Sequence, residues 1–307
     1  MVLCYTLYDH MNGGNSMYWI VTDSAIDMPR QWVDQQEAFR MLDLSYLMDD
    51  VSYTSDGTDE SIKAIYDAMR DGKMLKTSQV TPEMWETCFR ELLSAGHDIL
   101  TIAFSSGLSG TCSAAFMAAN EIRSEYPERK LIVIDSLQAS AGEGLMVHYA
   151  LQNRDTGMSI DENATWIKQN VQNFIAWFTV NDLMHLHRGG RLSAASAIVG
   201  SLVRIKPIMR VDAEGKLAVY EKAAGRKRSI RILADKIIAD IVNPETQIIH
   251  ISHGDCLEEA QTLAAMIREA LPVVDVRISY VGSVIGAHTG PGVIAVFCIG
   301  NTRTPNK

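Results

Sequence analysis

Residues Ile99-Leu100-Thr101-Ile102-Ala103-Phe104 form an apolar run, and Ser105-Ser106-Gly107-Leu108-Ser109-Gly110-Thr111 follow it directly. Ala114-Ala115-Phe116-Met117-Ala118-Ala119 then carry a helical pattern. The order is strand, hydroxyl- and glycine-rich turn, helix. Such a turn aims several hydroxyls and backbone N–H groups at one point, and the positive end of the following helix dipole favours negative charge there. The same residues also serve as a helix cap and a tight turn, so the loop alone leaves both readings open. Two specific chemistries are absent. The Gly-x4-Gly-Lys-Ser/Thr spacing of a phosphate loop does not occur, and Gly107-Leu108-Ser109-Gly110 lacks the spacing of a nucleophile elbow.

The pattern of this stretch repeats on both sides of it. Tyr18-Trp19-Ile20-Val21-Thr22 ends at Asp23-Ser24, and Leu131-Ile132-Val133-Ile134 ends at Asp135-Ser136. Helical segments follow from Met28-Pro29, over Glu60–Arg70, from Pro82 to Ser94 and over Gly142–Gln152. Met41–Met48 and Val51–Thr54 read as short strands around Asp49-Asp50, and Thr77-Ser78-Gln79 reads as a polar loop. Alternating strands and helices predict an α/β fold with a mainly parallel sheet, whose ligand sits beyond the carboxyl ends of the strands.

The texture changes after a polar stretch between Asp155 and Asn163. The expected units are an N-terminal α/β domain over 17–160 and a C-terminal α/β domain over 161–307. Residues 1–16, with Asn12-Gly13-Gly14-Asn15, read as a flexible extension without a secretory signal pattern. In the second half, Phe174–Val180 is a strand and Ala194–Val203 an apolar helix. Ile205–Val211 and Leu217–Glu221 flank Asp212-Ala213-Glu214-Gly215 as a hairpin. Basic Arg226-Lys227-Arg228 leads into a helix over Ile232–Ile241. Strands at Ile248–Ser252, Val273–Tyr280 and Val293–Ile299 and a helix at Leu257–Ala270 complete the chain, with Gly286-Ala287-His288-Thr289-Gly290-Pro291-Gly292 as a glycine-rich turn.

Composition narrows the partners. The 307 residues are 47% hydrophobic and 21% charged, with a formal charge of −9. That balance belongs to a globular protein and disfavours nucleic acid and anionic lipid surfaces. No apolar run approaches the ~18 residues of a membrane span. Cys4, Cys88, Cys112, Cys256 and Cys298 are scattered, which suits a reducing cytoplasm rather than a disulfide framework. His185/His187 and His250/His253 lack the carboxylate or cysteine company of a metal site, so no metal or cofactor is expected.

Six segments in one register resemble the DegV family of bacterial fatty-acid-binding proteins. They are Val21-Thr22-Asp23-Ser24, Lys76-Thr77-Ser78-Gln79, Ser105 to Thr111, Ile134-Asp135-Ser136, His187-Arg188-Gly189-Gly190-Arg191-Leu192-Ser193 and His288-Thr289-Gly290-Pro291-Gly292. The resemblance implies two α/β domains with one long-chain fatty acid buried between them. It implies a carboxylate held by Thr77, Ser106 and His288, with Ser78, Ser105, Gly107 and Ser109 supporting the loop and the tail in an apolar tunnel. It also implies a carrier that does no chemistry itself and presents the acid to a fatty-acid kinase, which makes the acyl phosphate. Arg191 and Arg226 would dock that kinase or its phosphate. The chain departs from the family pattern at Val80, where proline is common, and at Ala287, before the histidine. The competing reading is a serine hydrolase or acyltransferase using Ser106 with His288 as base. A DNA-binding regulator is disfavoured by charge and by the lack of a helix-turn-helix signal.

Overall fold

A computed structural model describes residues 17–192 and 205–303. The expected helix over Ala194–Val203 and the extension over residues 1–16 lie outside the described residues. The first half runs β1 (Trp19–Asp23), α1 (Arg30–Asp34), β2 (Phe39–Leu42), β3 (Ser45–Met48), β4 (Val51–Thr54), α2 (Asp59–Arg70), β5 (Leu75–Ser78), α3 (Pro82–Ser94), β6 (Ile99–Ala103), α4 (Thr111–Ile122), β7 (Leu131–Asp135) and α5 (Ala141–Asp155). The remainder runs α6 (Ile160–Asn170), β8 (Phe174–Thr179), α7 (Met184–Arg188), β9 (Ile205–Val211), β10 (Leu217–Ala224), α8 (Arg226–Asp240), β11 (Ile248–His253), α9 (Leu257–Ala270), β12 (Asp275–Tyr280), α10 (Ser283–Thr289) and β13 (Ile294–Ile299).

These strands form three sheets. A parallel sheet of order β2-β1-β6-β7 carries the strand ends Asp23, Ala103 and Asp135 side by side. A mixed sheet of order β10-β9-β8-β13-β11-β12 is antiparallel except where β11 meets β12. A small antiparallel sheet of order β4-β3-β5 stands apart from both. The fold is therefore mixed α/β, with a helix-flanked parallel sheet in the N-terminal region.

Local chemistry explains the well-bounded helices. Thr58 accepts a hydrogen bond from Ser61 N at the start of α2, and Ile62, Ile65, Tyr66 and Met69 bury one face at helical spacing. Thr81 caps α3 ahead of Pro82 at its first position, and Ser159 with Glu162 closes a capping box on α6. Helix α5 is different. Every residue from Ala141 to Val147 is buried, because the helix lies between the parallel and mixed sheets. Gly142 and Gly144 make this possible: a Cβ on Gly142 would stand 2.8 Å from the Phe297 ring, and one on Gly144 2.5 Å from Ile26 O. Ile20, Leu100 and Ile102 on one side and Phe174, Ala176, Phe178 and Phe297 on the other share a core with Leu145 and Met146.

Three expectations are corrected. The Met41–Met48 run is two strands, β2 in the parallel sheet and β3 in the small one. Thr77 and Ser78 are not in a loop but end β5, held by backbone pairing to Tyr46 and Ser45. The basic run at Arg226 forms the first turn of α8 rather than a segment ahead of it.

The same compaction buries acids. Asp23 Oδ1 and Oδ2 accept from Ala25 N at 3.1 Å and Phe104 N at 2.8 Å. Asp27 accepts from Ser140 Oγ and Gly282 N. Glu143 accepts from Thr22 Oγ1, and its Oε2 has no hydrogen-bond partner. Burial outweighs these bonds and pushes Asp23 and Asp27 up to about 7, and it holds Glu143 well above the ordinary carboxylate range with Asp23 adding repulsion. Carboxyls whose folded pKa is raised bind protons in the folded state that the unfolded chain has released. Their stabilising contribution is complete below about pH 4 and is lost as pH rises through about 7. Thermal melts between about pH 5 and about pH 8 are thus expected to show Tm falling with pH. Asp27→Asn, which keeps an acceptor for Gly282 N, flattens that slope; an unchanged slope refutes the assignment.

Candidate functional site

A cavity opens at the N-terminal end of α5, between the parallel and mixed sheets and beneath the small one. Its space between atoms, open mouth included, is about 950 Å³. Its walls are hydrocarbon: Phe104, Leu108, Phe178, Leu186, Val211, Leu217, Val293 and Phe297 contribute side chains. Polar groups enter from loops and strand ends. Thr77, Ser78 and Gln79 come from the end of β5, Ser109 and Gly110 from the serine loop, Ser140 from the start of α5, Arg191 from the turn after α7 and His288 from α10. Among the described residues lining it, Arg191 is the only lysine or arginine and none is a carboxylate.

The polar groups converge. Thr77 Oγ1 and His288 Nε2 share a hydrogen bond of 2.8 Å across 211 residues of sequence. Arg191 Nε donates to Leu108 O at 3.2 Å, which brings the guanidinium to the serine loop. Gln79 packs so closely on Gly110 that a Cβ there would overlap Gln79 Oε1. His288 has its pKa lowered to about 4, first by burial and then by the Arg191 charge. At neutral pH the described residues of the site therefore offer a neutral imidazole, hydroxyls and one cation, a donor set suited to a single anionic group on an apolar body.

The serine loop is built so that its hydroxyls face different ways. Ser105 is buried; its Oγ accepts from Gly107 N at 3.1 Å and donates to Gly215 O at 2.8 Å in the β9–β10 turn. Gly107 lies against that turn, where a Cβ would stand 2.7 Å from Glu214 O. Asp135 Oδ1 accepts from Ser106 N at 3.2 Å and Leu137 N at 3.0 Å. These bonds leave Ser106 exposed and outside the cavity, while Ser109 lines it and bonds to Thr111 Oγ1 at 2.9 Å. Of the residues expected at the carboxylate, the fold joins Thr77 and His288, and Ser109 stands where Ser106 was expected. Ser106 and His288 accordingly do not form a nucleophile–base pair, and His288 Nδ1 has no partner to orient it.

The two arginines are separated. Arg191 lines the cavity, whereas Arg226 opens α8 and is paired with Glu259 of α9, its Nη2 at 2.7 Å from Oε2. Gln79 lies in a segment that the sequence singles out without marking it for the site, and Ser140 and the apolar walls have no signal in the sequence beyond their composition. No group of three or more histidine, cysteine or acidic side chains fit for a metal occurs among the described residues, and no described helix is long and apolar enough to cross a membrane.

A cavity with hydrocarbon walls and one polar cluster, set between a parallel and a mixed sheet, defines a small-molecule-binding α/β protein. The profile of the DegV family matches residues 17–301, so the chain belongs to that family. A DegV domain-containing protein of Clostridium perfringens is 43% identical over 293 residues, covering 93% of this chain and 98% of that one. Among solved structures, a fatty-acid-binding DegV protein of Thermus thermophilus superposes with a TM-score of 0.83 at 26% identity, covering 93% of this chain and all of that one. A fatty-acid-binding DegV protein of Streptococcus agalactiae gives a TM-score of 0.81 at 27% identity, covering 95% and 100%.

The charge beside His288 is directly testable. Removing it with Arg191→Leu is expected to raise the His288 titration, followed by NMR of the ring protons, from about 4 toward its ordinary value. A titration that stays put would separate Arg191 from the site.

Proposed function

We propose that this protein holds one long-chain fatty acid in the cavity. Its carboxylate rests on Thr77, Ser109 and His288, with Arg191 as counter-charge, and its tail lies along Phe178, Leu186, Val211, Leu217 and Phe297. The observation that carries this reading is a polar cluster that, among the described residues, has one cation and no carboxylate at a hydrocarbon-walled cavity. Each methylene buried there contributes about 0.8 kcal/mol, so a tail of a dozen or more outweighs the cost of ordering it. Solved relatives described as binding fatty acids support the ligand class.

The protein then acts as a carrier: it presents the bound acid to a fatty-acid kinase, which phosphorylates the carboxylate. Arg226 with exposed Lys227 and Arg228 gives that partner a basic docking surface on α8, while Arg191 stays with the carboxylate.

Organic extraction and mass spectrometry of the purified protein test the ligand class, and one fatty acid per chain is the expected yield. Folded protein that neither carries nor takes up any fatty acid overturns the reading. In delipidated protein, Thr77→Val, Ser109→Ala and His288→Ala are each expected to weaken binding by about 10- to 100-fold, the worth of a hydrogen bond to a charged group. Ser106→Ala leaves binding unchanged. Equal losses at Ser106 and Ser109 would return the carboxylate to the outer hydroxyl.

A further inference from the structure

We propose that Gly189 is a positioning residue for the ligand head group: its missing side chain is what seats the His288 imidazole against Thr77. The inference rests on the fatty-acid reading for its consequence, though not for its geometry. Helices α7 and α10 pack together, and a Cβ on Gly189 would overlap His288 Nδ1 and stand 3.2 Å from Cε1. The contact is reciprocal. A Cβ on Gly290 would overlap the His185 ring, so each segment offers a bare backbone to the histidine of the other.

The two adjacent glycines of the turn are needed for different reasons. Gly190 has φ +71° with nothing within 4 Å of a built Cβ, so conformation requires it. Gly189 has φ −71° and ψ −11°, a backbone any residue adopts, so only space requires it. Because its backbone is ordinary, alanine at 189 isolates the steric effect. In its present seat the ring is held between the Gly189 backbone and Thr77 Oγ1, which stands 2.8 Å from Nε2, so a methyl at 189 displaces it from that seat. His288 Nδ1 makes no hydrogen bond, so packing alone fixes that edge. What yields is the end of a rotatable side chain rather than a backbone, and the ring swings away from Thr77 while the fold persists. The same turn also places the cation, because Arg191 Nη1 donates to Gly189 O.

The test compares full-length wild type, Gly189→Ala, His288→Ala and the double variant, all delipidated. In Gly189→Ala, the His288 ring protons are expected to titrate nearer the ordinary histidine value than the buried ring, which titrates at about 4. Oleate affinity is expected to fall about tenfold or more, the worth of a lost hydrogen bond to a charged group. In the His288→Ala background, the same glycine substitution should cost no further affinity, because the methyl then fills the space the ring has left. An unmoved titration, or an equal loss of affinity with and without His288, overturns the proposal. If Gly189→Ala alone does not fold, the double variant must recover folding; failure of both also overturns it. A shifted titration in a protein whose wild type binds no oleate would leave the positioning role standing and remove the fatty-acid reading.

Discussion

A helical stretch with no solvent face must satisfy packing on every side at once, and the first two turns of α5, Ala141 to Val147, are such a stretch. Its neighbours are the parallel sheet, the mixed sheet and the chain after β1. Two glycines in its first turn let Phe297 and Ile26 approach, so the two large sheets are held at a separation that its small residues set. The cavity exists where α5 stops: Ala139 and Ser140 line it immediately before the helix begins, and the strands continue past them as bare apolar wall. Lengthening α5 by a turn at this end would fill the cavity.

That arrangement also explains the electrostatics. The interior beside α5 holds three carboxyls in an apolar setting, while the described residues of the cavity lining include an arginine and no carboxylate. The acids are segregated behind the wall, protonated or bonded to backbone N–H groups, and do not oppose an incoming anion. A net charge of −9 is thus compatible with an anion site, because the sign of the local groups decides what binds, not the sum over the chain.

Much of this is legible in the sequence alone. Strand ends marked by Asp23-Ser24 and Asp135-Ser136 and helices begun by proline or a hydroxyl cap carry local signals, and the parallel sheet follows from their alternation. What escaped is non-local. Leu75-Lys76-Thr77-Ser78 contains a single apolar residue, and only pairing with β3 makes it a strand. Met41 to Met48 reads as one run, yet the break at Asp43-Leu44 sends its halves to different sheets. Within the serine loop, the choice between Ser106 and Ser109 depends on Asp135 and on the β9–β10 turn, about 29 and 110 residues away. Composition gives the number of hydroxyls there but not their direction.

The glycines of the serine loop have a consequence for how such a chain changes over generations. Gly107 abuts the Glu214-Gly215 backbone, and Gly110 abuts Gln79, so three stretches far apart in the chain form one mechanical part. A side chain added at either glycine has to be answered by a rearrangement in a different stretch, and single replacements in one stretch are acceptable only against particular backgrounds in another. The Thr-Ser-Gln strand end, the serine loop and the hairpin turn are therefore expected to drift as a unit, with variation channelled into the hydrocarbon wall where one apolar residue can replace another without asking its neighbours to move first.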